Sequence, residues 1–281
     1  MRCIKEADFM NIENNINILG NFCGMRDVDR LSADAIQRKY GFTQADVMVL
    51  FGGSVIEGGD VLAKAMQEKI AKKYIIVGGA GHTTETLRQR VHSEYPDIET
   101  VCLPEAEVFQ RYLAHVYGLQ ADYLETQSTN CGNNITYLLD MIRDKNIPCK
   151  SIILTQDATM QRRIDAGLRK YAPDDLVIIN YAAYSVKTVS YAGVLEFDSQ
   201  VHGMWTVERY VNLLMGEIPR LADDADGYGP MGKDFIAHVD IPETVSEAFE
   251  ALKKVYETDT RKQIPCMHRN REQIKVTELK Y

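Results

Sequence analysis

The stretch Gln127-Ser128-Thr129-Asn130-Cys131-Gly132-Asn133-Asn134 sets small polar side chains between a strand-like apolar segment and an amphipathic helix. Core packing does not ask for them there. Backbone N–H groups at a helix start are unpaired and point outward, and the helix dipole favours negative charge. A polar, glycine-containing loop at that point reads as a ligand cradle. It reads equally as a capped helix start, because Ser, Thr and Asn are good N-caps. Three more turns carry comparable chemistry. Gly52-Gly53-Ser54 and Gly78-Gly79-Ala80-Gly81-His82 each follow a short apolar run, and glycine lets backbone approach a ligand closely. Neither matches the GxGxxG or GxxxxGK[ST] fingerprints. Gln156-Asp157-Ala158-Thr159-Met160-Gln161-Arg162-Arg163 begins at another strand end. Asp157 there is a candidate acceptor for a ligand hydroxyl or amine, or else a helix N-cap. Arg162 and Arg163 offer planar forks for a carboxylate or phosphate.

Other candidates are weaker. Glu105 and Glu107 follow Pro104 at a helix start, where glutamate is favoured by the dipole alone. Glu125 precedes the polar loop. His82 is a lone histidine, and His202, His238 and His268 are too dispersed for a metal site. Cys131 lies near a helix start that favours a thiolate, with no histidine partner assigned by position. Asp223, Asp224 and Asp226 lack the spacing of a calcium loop and read as a turn.

The elements that position these loops follow from the apolar pattern. Ile12, Ile16, Leu19 and Phe22 keep helical spacing, and Ser32 to Gly41 reads as a second, capped helix; the two are expected to pack as an added helical element. Residues 46–51, 74–77, 151–155 and 176–179 read as strands buried on both faces, with residues 99–103 as a further short strand. Helices lie between them, one carrying Val61, Leu62, Ala65, Met66 and Ile70 on its apolar face. Alternation from about 46 to 180 predicts a doubly wound, Rossmann-like α/β fold with a mainly parallel sheet. Right-handed crossovers then bring the loops at 52–60, 78–84, 125–134 and 156–163 to one edge of the sheet, where such folds bind ligands. A helix over about 205–215, a turn at 223–232 and a last helix over 243–257 complete the pattern. The expected organisation is an N-terminal helical extension at 1–44, the α/β core at 45–185 and a mostly helical region at 186–281.

The 281 residues carry a formal net charge of −8, which argues against general affinity for nucleic acid or anionic membrane. Six scattered cysteines without CxxC suggest free thiols in a reducing compartment. No apolar N-terminal leader and no membrane-spanning stretch are visible, so a cytoplasmic protein is expected.

Gly52-Gly53, Gly78-Gly79-Ala80-Gly81-His82, Ser128-Thr129-Asn130-Cys131 and Asp157-Ala158-Thr159-Met160-Gln161-Arg162-Arg163 resemble the YdcF-like branch of domain-of-unknown-function family 218, which also includes the SanA and ElyC proteins. The likeness continues through Trp205-Thr206-Val207-Glu208-Arg209-Tyr210, Gly216-Glu217-Ile218-Pro219-Arg220-Leu221, Asp226-Gly227-Tyr228-Gly229-Pro230 and Asp234-Phe235-Ile236-Ala237-His238-Val239-Asp240. It spans about residues 45 to 255. The resemblance implies a Rossmann-like domain that binds S-adenosyl-L-methionine, without implying a reaction. The ligand is expected along the strand edge, against Gly52, Gly53, Gly79 and Gly81. Ser54, His82, Glu105 and Asn133 border the same edge. Ser128 and Asn130 would bond its polar groups, Asp157 its ribose hydroxyls or amine, and Arg162 or Arg163 its carboxylate. Trp205 or Tyr228 would cover the adenine or meet the sulfonium. One position departs from the family pattern: Asn133 stands where the loop commonly carries Glu, and Asn cannot move a proton at neutral pH. The alternative is an enzyme acting on a phosphate- or sugar-bearing, envelope-precursor-like substrate. A methyltransferase would need an acceptor pocket that the sequence does not name. A pure interaction protein is the remaining class.

Overall fold

The computed structural model describes residues 6–191 and 194–256, with side chains from residue 11 onward. Five strands form one parallel sheet in the order β3-β2-β1-β4-β5: β1 (Ala45–Phe51), β2 (Ala71–Val77), β3 (Tyr123–Glu125), β4 (Ser151–Thr155) and β5 (Val177–Asn180). Val49 at its centre pairs with Ile75 on one side and Leu154 on the other. Successive strand residues alternate between two cores, as the pleat requires. Met48, Leu50, Ile76, Ile153 and Ile179 face one; Val47, Val49, Ile75, Ile152 and Leu154 face the other. Burial on both faces explains why these strands read as continuous apolar runs.

Helices α3 (Glu57–Gln67), α4 (Thr84–Glu94) and α5 (Glu105–Tyr117) cover the first face through Leu62, Leu87, Val91, Phe109 and Tyr112. Helices α6 (Cys131–Asp144) and α7 (Gln161–Tyr171) cover the second through Ile135, Leu138, Ile164 and Leu168. The chain therefore changes face between β3 and β4. The loops leaving the neighbouring strands β1 and β4 run to opposite faces, which is the switch point where a crevice opens.

Two helices precede the sheet, α1 (Glu6–Cys23) and α2 (Ala33–Tyr40). The second has the expected caps: Ser32 accepts from the Ala35 N–H, and Gly41 closes it at φ +84°. They do not form one helical addition. Ile36 of α2 joins the core beneath α3, whereas Ile12, Ile16 and Leu19 of α1 join an outer cluster. That cluster is completed by α8 (Val207–Leu221) and α9 (Glu243–Lys253), so segments from the two ends of the described chain share one apolar interior.

Three expectations are corrected. Residues 99–103 form no strand: Cys102 adopts φ +59° in a turn before α5. Ile70 is buried but lies beyond the end of α3, leading into β2. An antiparallel hairpin, β6 (Thr188–Tyr191) with β7 (Val194–Phe197), stands where no strand was expected. The last helix ends at Lys253, and its expected extension reaches position 257, outside the described residues.

Candidate functional site

The glycines at the ends of β1 and β2 make room for the protein's own groups. None of Gly52, Gly53, Gly78 or Gly79 is in the left-handed region. A Cβ on Gly52 would collide with the Glu105 carboxylate, and the Gly78 Cα lies 3.2 Å from the same point. A Cβ on Gly79 would collide with the Ser128 carbonyl oxygen. These absent side chains let α5 press Glu105 against the sheet edge and let the loop after β3 cross over β2. The N-terminus of α5 is anchored there by its first N–H groups: Glu105 N donates to Gly79 O and Ala106 N to Gly78 O, both at 2.8 Å. Gly53 and Gly81 are more open, with only Gln156 Oε1 at 3.3 Å and Thr129 O at 3.7 Å near an added Cβ.

Three buried carboxylates gather at this edge. Glu105 is 8 % exposed, Glu125 5 % and Asp157 8 %. Glu105 Oε1 accepts from the Thr84 hydroxyl at 2.9 Å and the Thr83 hydroxyl at 3.3 Å. Burial raises its pKa above the ordinary glutamate value, against the lowering effect of those hydroxyls and of Arg88. Glu125 ends β3. Its Oε1 accepts the N–H groups of Gln127 at 2.6 Å and Ser128 at 3.0 Å, fixing the polar loop. Its Oε2 is buried with no hydrogen-bond partner among the described residues.

Asp157 is the hub of the β4 loop. Oδ1 accepts from the Thr159 N–H at 2.9 Å, the Thr159 hydroxyl at 2.8 Å and the Tyr184 hydroxyl at 2.7 Å. Oδ2 accepts from the Trp205 indole N–H at 2.8 Å. The bond to Thr159 N makes a local turn; the cap position of α7 falls to Met160. Tyr184 is held neutral: burial, then the Asp157 charge, push its pKa well up, so it serves as a donor. The Arg90 guanidinium lies 4.4 Å from the Trp205 ring centroid and donates to Ser54 O and Gly203 O, each at 2.7 Å. Ser54 in turn donates to Thr83 O at 2.8 Å. The β1, β2 and β4 loops and the Trp205 segment are thus linked by direct bonds.

The remaining expected residues divide clearly. Ser128 is 2 % exposed and accepts from the Gly79 N–H at 3.1 Å, tying the β2 and β3 loops together. Asn130 caps α6 by accepting from the Asn133 N–H at 3.0 Å, and its amide donates to Asn133 Oδ1 at 2.7 Å. Asn133 therefore works inside the loop. His82 is exposed at the end of the β2 turn. The two arginines are anchored by other elements, and only Arg163 has its fork filled. Arg163 makes a two-pronged ion pair with Glu217 of α8 at 2.5 and 3.0 Å, its side chain 11 % exposed. Burial opposes its charge, and the fields of Cys131 and Glu217 outweigh that. Arg162 donates to Phe22 O at 2.5 Å and stacks on the Phe22 ring. Tyr228 packs on Phe235 in the outer cluster. The aspartates at 223–226 serve the expected turn: Asp223 accepts from Met231 N at 2.6 Å and Asp224 from Gly227 N at 2.8 Å.

Three participants escaped the sequence reading. Gln156 spans the switch point itself, donating from Nε2 to Gly52 O at 3.1 Å while its Oε1 accepts from Asp157 N at 2.6 Å. Tyr184 and Arg90 come from segments with no motif of their own. The only available signal was position: Gln156 is the first residue after a buried strand.

No protein-family model matches the chain. Among the described residues there is no cluster of metal-ligating side chains, and no helix is long and apolar enough to cross a membrane.

Proposed function

We propose that this chain binds a small cationic ligand along the C-terminal edge of its sheet, with S-adenosyl-L-methionine the candidate. The observation that carries the reading is the set of three buried carboxylates, Glu105, Glu125 and Asp157, brought to one edge by two strand ends and a helix start. Buried negative charge left without a cation is expensive. Glu125 Oε2, unmet among the described residues, is the clearest sign of a missing donor. Arg88 already acts on Glu105 and Arg90 on Asp157, so a ligand bearing ammonium and sulfonium charges would add to those cations and meet Glu125. Open backbone at Gly53 and Gly81 would let it approach, and Trp205, fixed by Asp157 and with Arg90 at 4.4 Å and Arg209 at 5.7 Å from its ring centroid, is suited to the adenine rather than the sulfonium.

S-adenosyl-L-methionine supplies an activated methyl group when bound; the residues here argue for holding it. Its carboxylate would need another partner than Arg163, whose fork is filled by Glu217; Arg162 commits only its Nε, to Phe22 O, where it lies over the Phe22 ring. The Arg163–Glu217 pair weighs against a phosphate-bearing substrate held by a paired arginine fork at this edge. Six scattered cysteines without a CxxC pair favour a cytoplasmic setting. Native mass spectrometry of freshly purified protein, followed by calorimetric titration with S-adenosyl-L-methionine, tests the reading. A saturable isotherm supports it; no heat at millimolar ligand rejects it.

A further inference from the structure

A separate cavity of 630 Å³ lies between α3 and the segments on either side of it, residues 26–31, 181–185 and 199–201. Its size is that of a small-molecule site. Its charged lining is Arg26, Arg30, Glu57, Asp60, Lys64 and Glu68, and most of these groups are occupied or open to water. Asp60 accepts from the hydroxyls of Tyr112 and Tyr117 and meets His202 Nδ1 at 2.7 Å. Arg30 and Glu68 face each other at 4.0 Å. Lys64 is exposed.

Arg26 and Glu57 are different. Arg26 Nε donates to Ala182 O at 2.9 Å, and its guanidinium lies 4.3 Å from the Tyr181 ring centroid. These two contacts fix the plane of the fork. They leave both terminal nitrogens without a partner among the described residues. Glu57 commits Oε2 to the His202 N–H at 3.1 Å and leaves Oε1 without a partner among the described residues. Both side chains are partly buried and line one cavity, yet they form no ion pair within 4.0 Å. Burial lowers the Arg26 pKa, and the nearby Tyr181 and Glu57 act in the opposite direction.

Two opposite charges held apart across one cavity, each with an open valence, are matched by a molecule that carries both complements. We propose that this cavity binds an α-amino-acid-like zwitterion, its carboxylate on the Arg26 fork and its ammonium on Glu57 Oε1. Two parallel N–H donors suit a carboxylate. Leu31, Val61 and Tyr181 provide apolar wall for a side chain. Tyr184 lines the same cavity while its hydroxyl is turned to Asp157, so it stands between this site and the sheet edge. The proposal is independent of what the sheet edge binds.

The test is thermal unfolding and calorimetry with free amino acids at millimolar concentration, first as a mixture of the standard set and then singly. The expected result is a saturable rise in Tm for at least one of them. Its α-amide, which lacks the carboxylate, and its α-hydroxy acid, which lacks the ammonium, should each bind at least about tenfold more weakly. Arg26→Gln and Glu57→Gln should each weaken binding by a similar factor; Gln at 57 can still accept from His202 N–H. The proposal is overturned if the mixture gives no shift, or if amide and hydroxy acid bind as well as the amino acid. It is equally overturned if folded variants bind unchanged. Should a variant fail to fold, the analogue series on the wild-type chain decides alone.

Discussion

Glu105 shows how much of a side chain's meaning comes from its surroundings. In sequence it is one of two glutamates at a helix start, a place explained by the helix dipole. In the fold it is driven against Gly52 and Gly78, and burial raises its pKa. A carboxyl with a raised folded pKa contributes stability that is present below its unfolded value, roughly 4.3, and lost as pH rises through the folded value. Glu105→Gln keeps the shape and the hydroxyl bonds without the charge. It should therefore be at least as stable as wild type at pH 7 in urea unfolding, yet bind S-adenosyl-L-methionine at least about tenfold more weakly. A variant that loses stability and keeps affinity would assign Glu105 to the scaffold alone. By the same sign, wild-type affinity for a cation should rise with pH as Glu105 ionises.

His202 is a second such residue. Its Nε2 lies 2.8 Å from both Glu94 oxygens and its Nδ1 2.7 Å from Asp60, which also accepts from the Tyr117 hydroxyl, while Glu57, Tyr95, Tyr112 and, through the adjoining backbone, Arg90 surround it. Burial disfavours its charge, but the two carboxylates prevail and raise its pKa. Only the protonated ring can donate to both. The clamp is complete below the ordinary value of about 6.5 and is lost as pH rises through the raised one. Gly203 and Trp205 follow directly, and Trp205 is the single tryptophan of the chain. Its emission should change with a midpoint above that ordinary value, and His202→Asn should abolish the transition. A pH-independent emission in wild type would contradict the clamp.

At the scale of elements, the sheet was legible because buried parallel strands announce themselves as apolar runs stopped by glycine. The capped helices α2 and α5 were legible for the same local reason, with Gly41 and Gly118 both at positive φ. The stretch at 99–103 looked like a strand because Val101 and Leu103 alternate with polar residues, but Val101 is 71 % exposed and the segment has no sheet neighbour. The β6–β7 hairpin was missed because its strands are only four residues long; its alternating Val189 and Tyr191 are exposed, and Asn17 and Glu13 of α1 accept from the Thr188 and Ser190 N–H groups. Arg163 was read as a ligand fork because its partner, Glu217, lies far away in sequence. That pair joins α7 to α8 with Glu217 buried and Arg163 largely so. Glu217→Ala leaves the guanidinium buried and unpaired and should lower unfolding free energy by about 3–5 kcal/mol. A loss under about 1 kcal/mol, the range of an exposed pair, would mean the bridge does little.

Across the whole molecule, the sequence placed the four polar loops on one sheet edge, and topology put them there. What it could not disclose is how they are filled. Gln156 closes the switch point, Ser128 and Asn130 satisfy backbone, and the arginines leave for other elements. The edge that remains is lined by carboxylates, on a chain whose net charge is already −8. That charge pattern is the centre of the functional proposal. It is tested most directly by calorimetric titration of the wild-type chain with S-adenosyl-L-methionine and, in parallel, with adenosine monophosphate, which shares the nucleoside and reverses the charge. The account predicts saturable binding of S-adenosyl-L-methionine and an affinity for adenosine monophosphate at least about tenfold weaker. Equal affinities, or a preference for the phosphate, would contradict it.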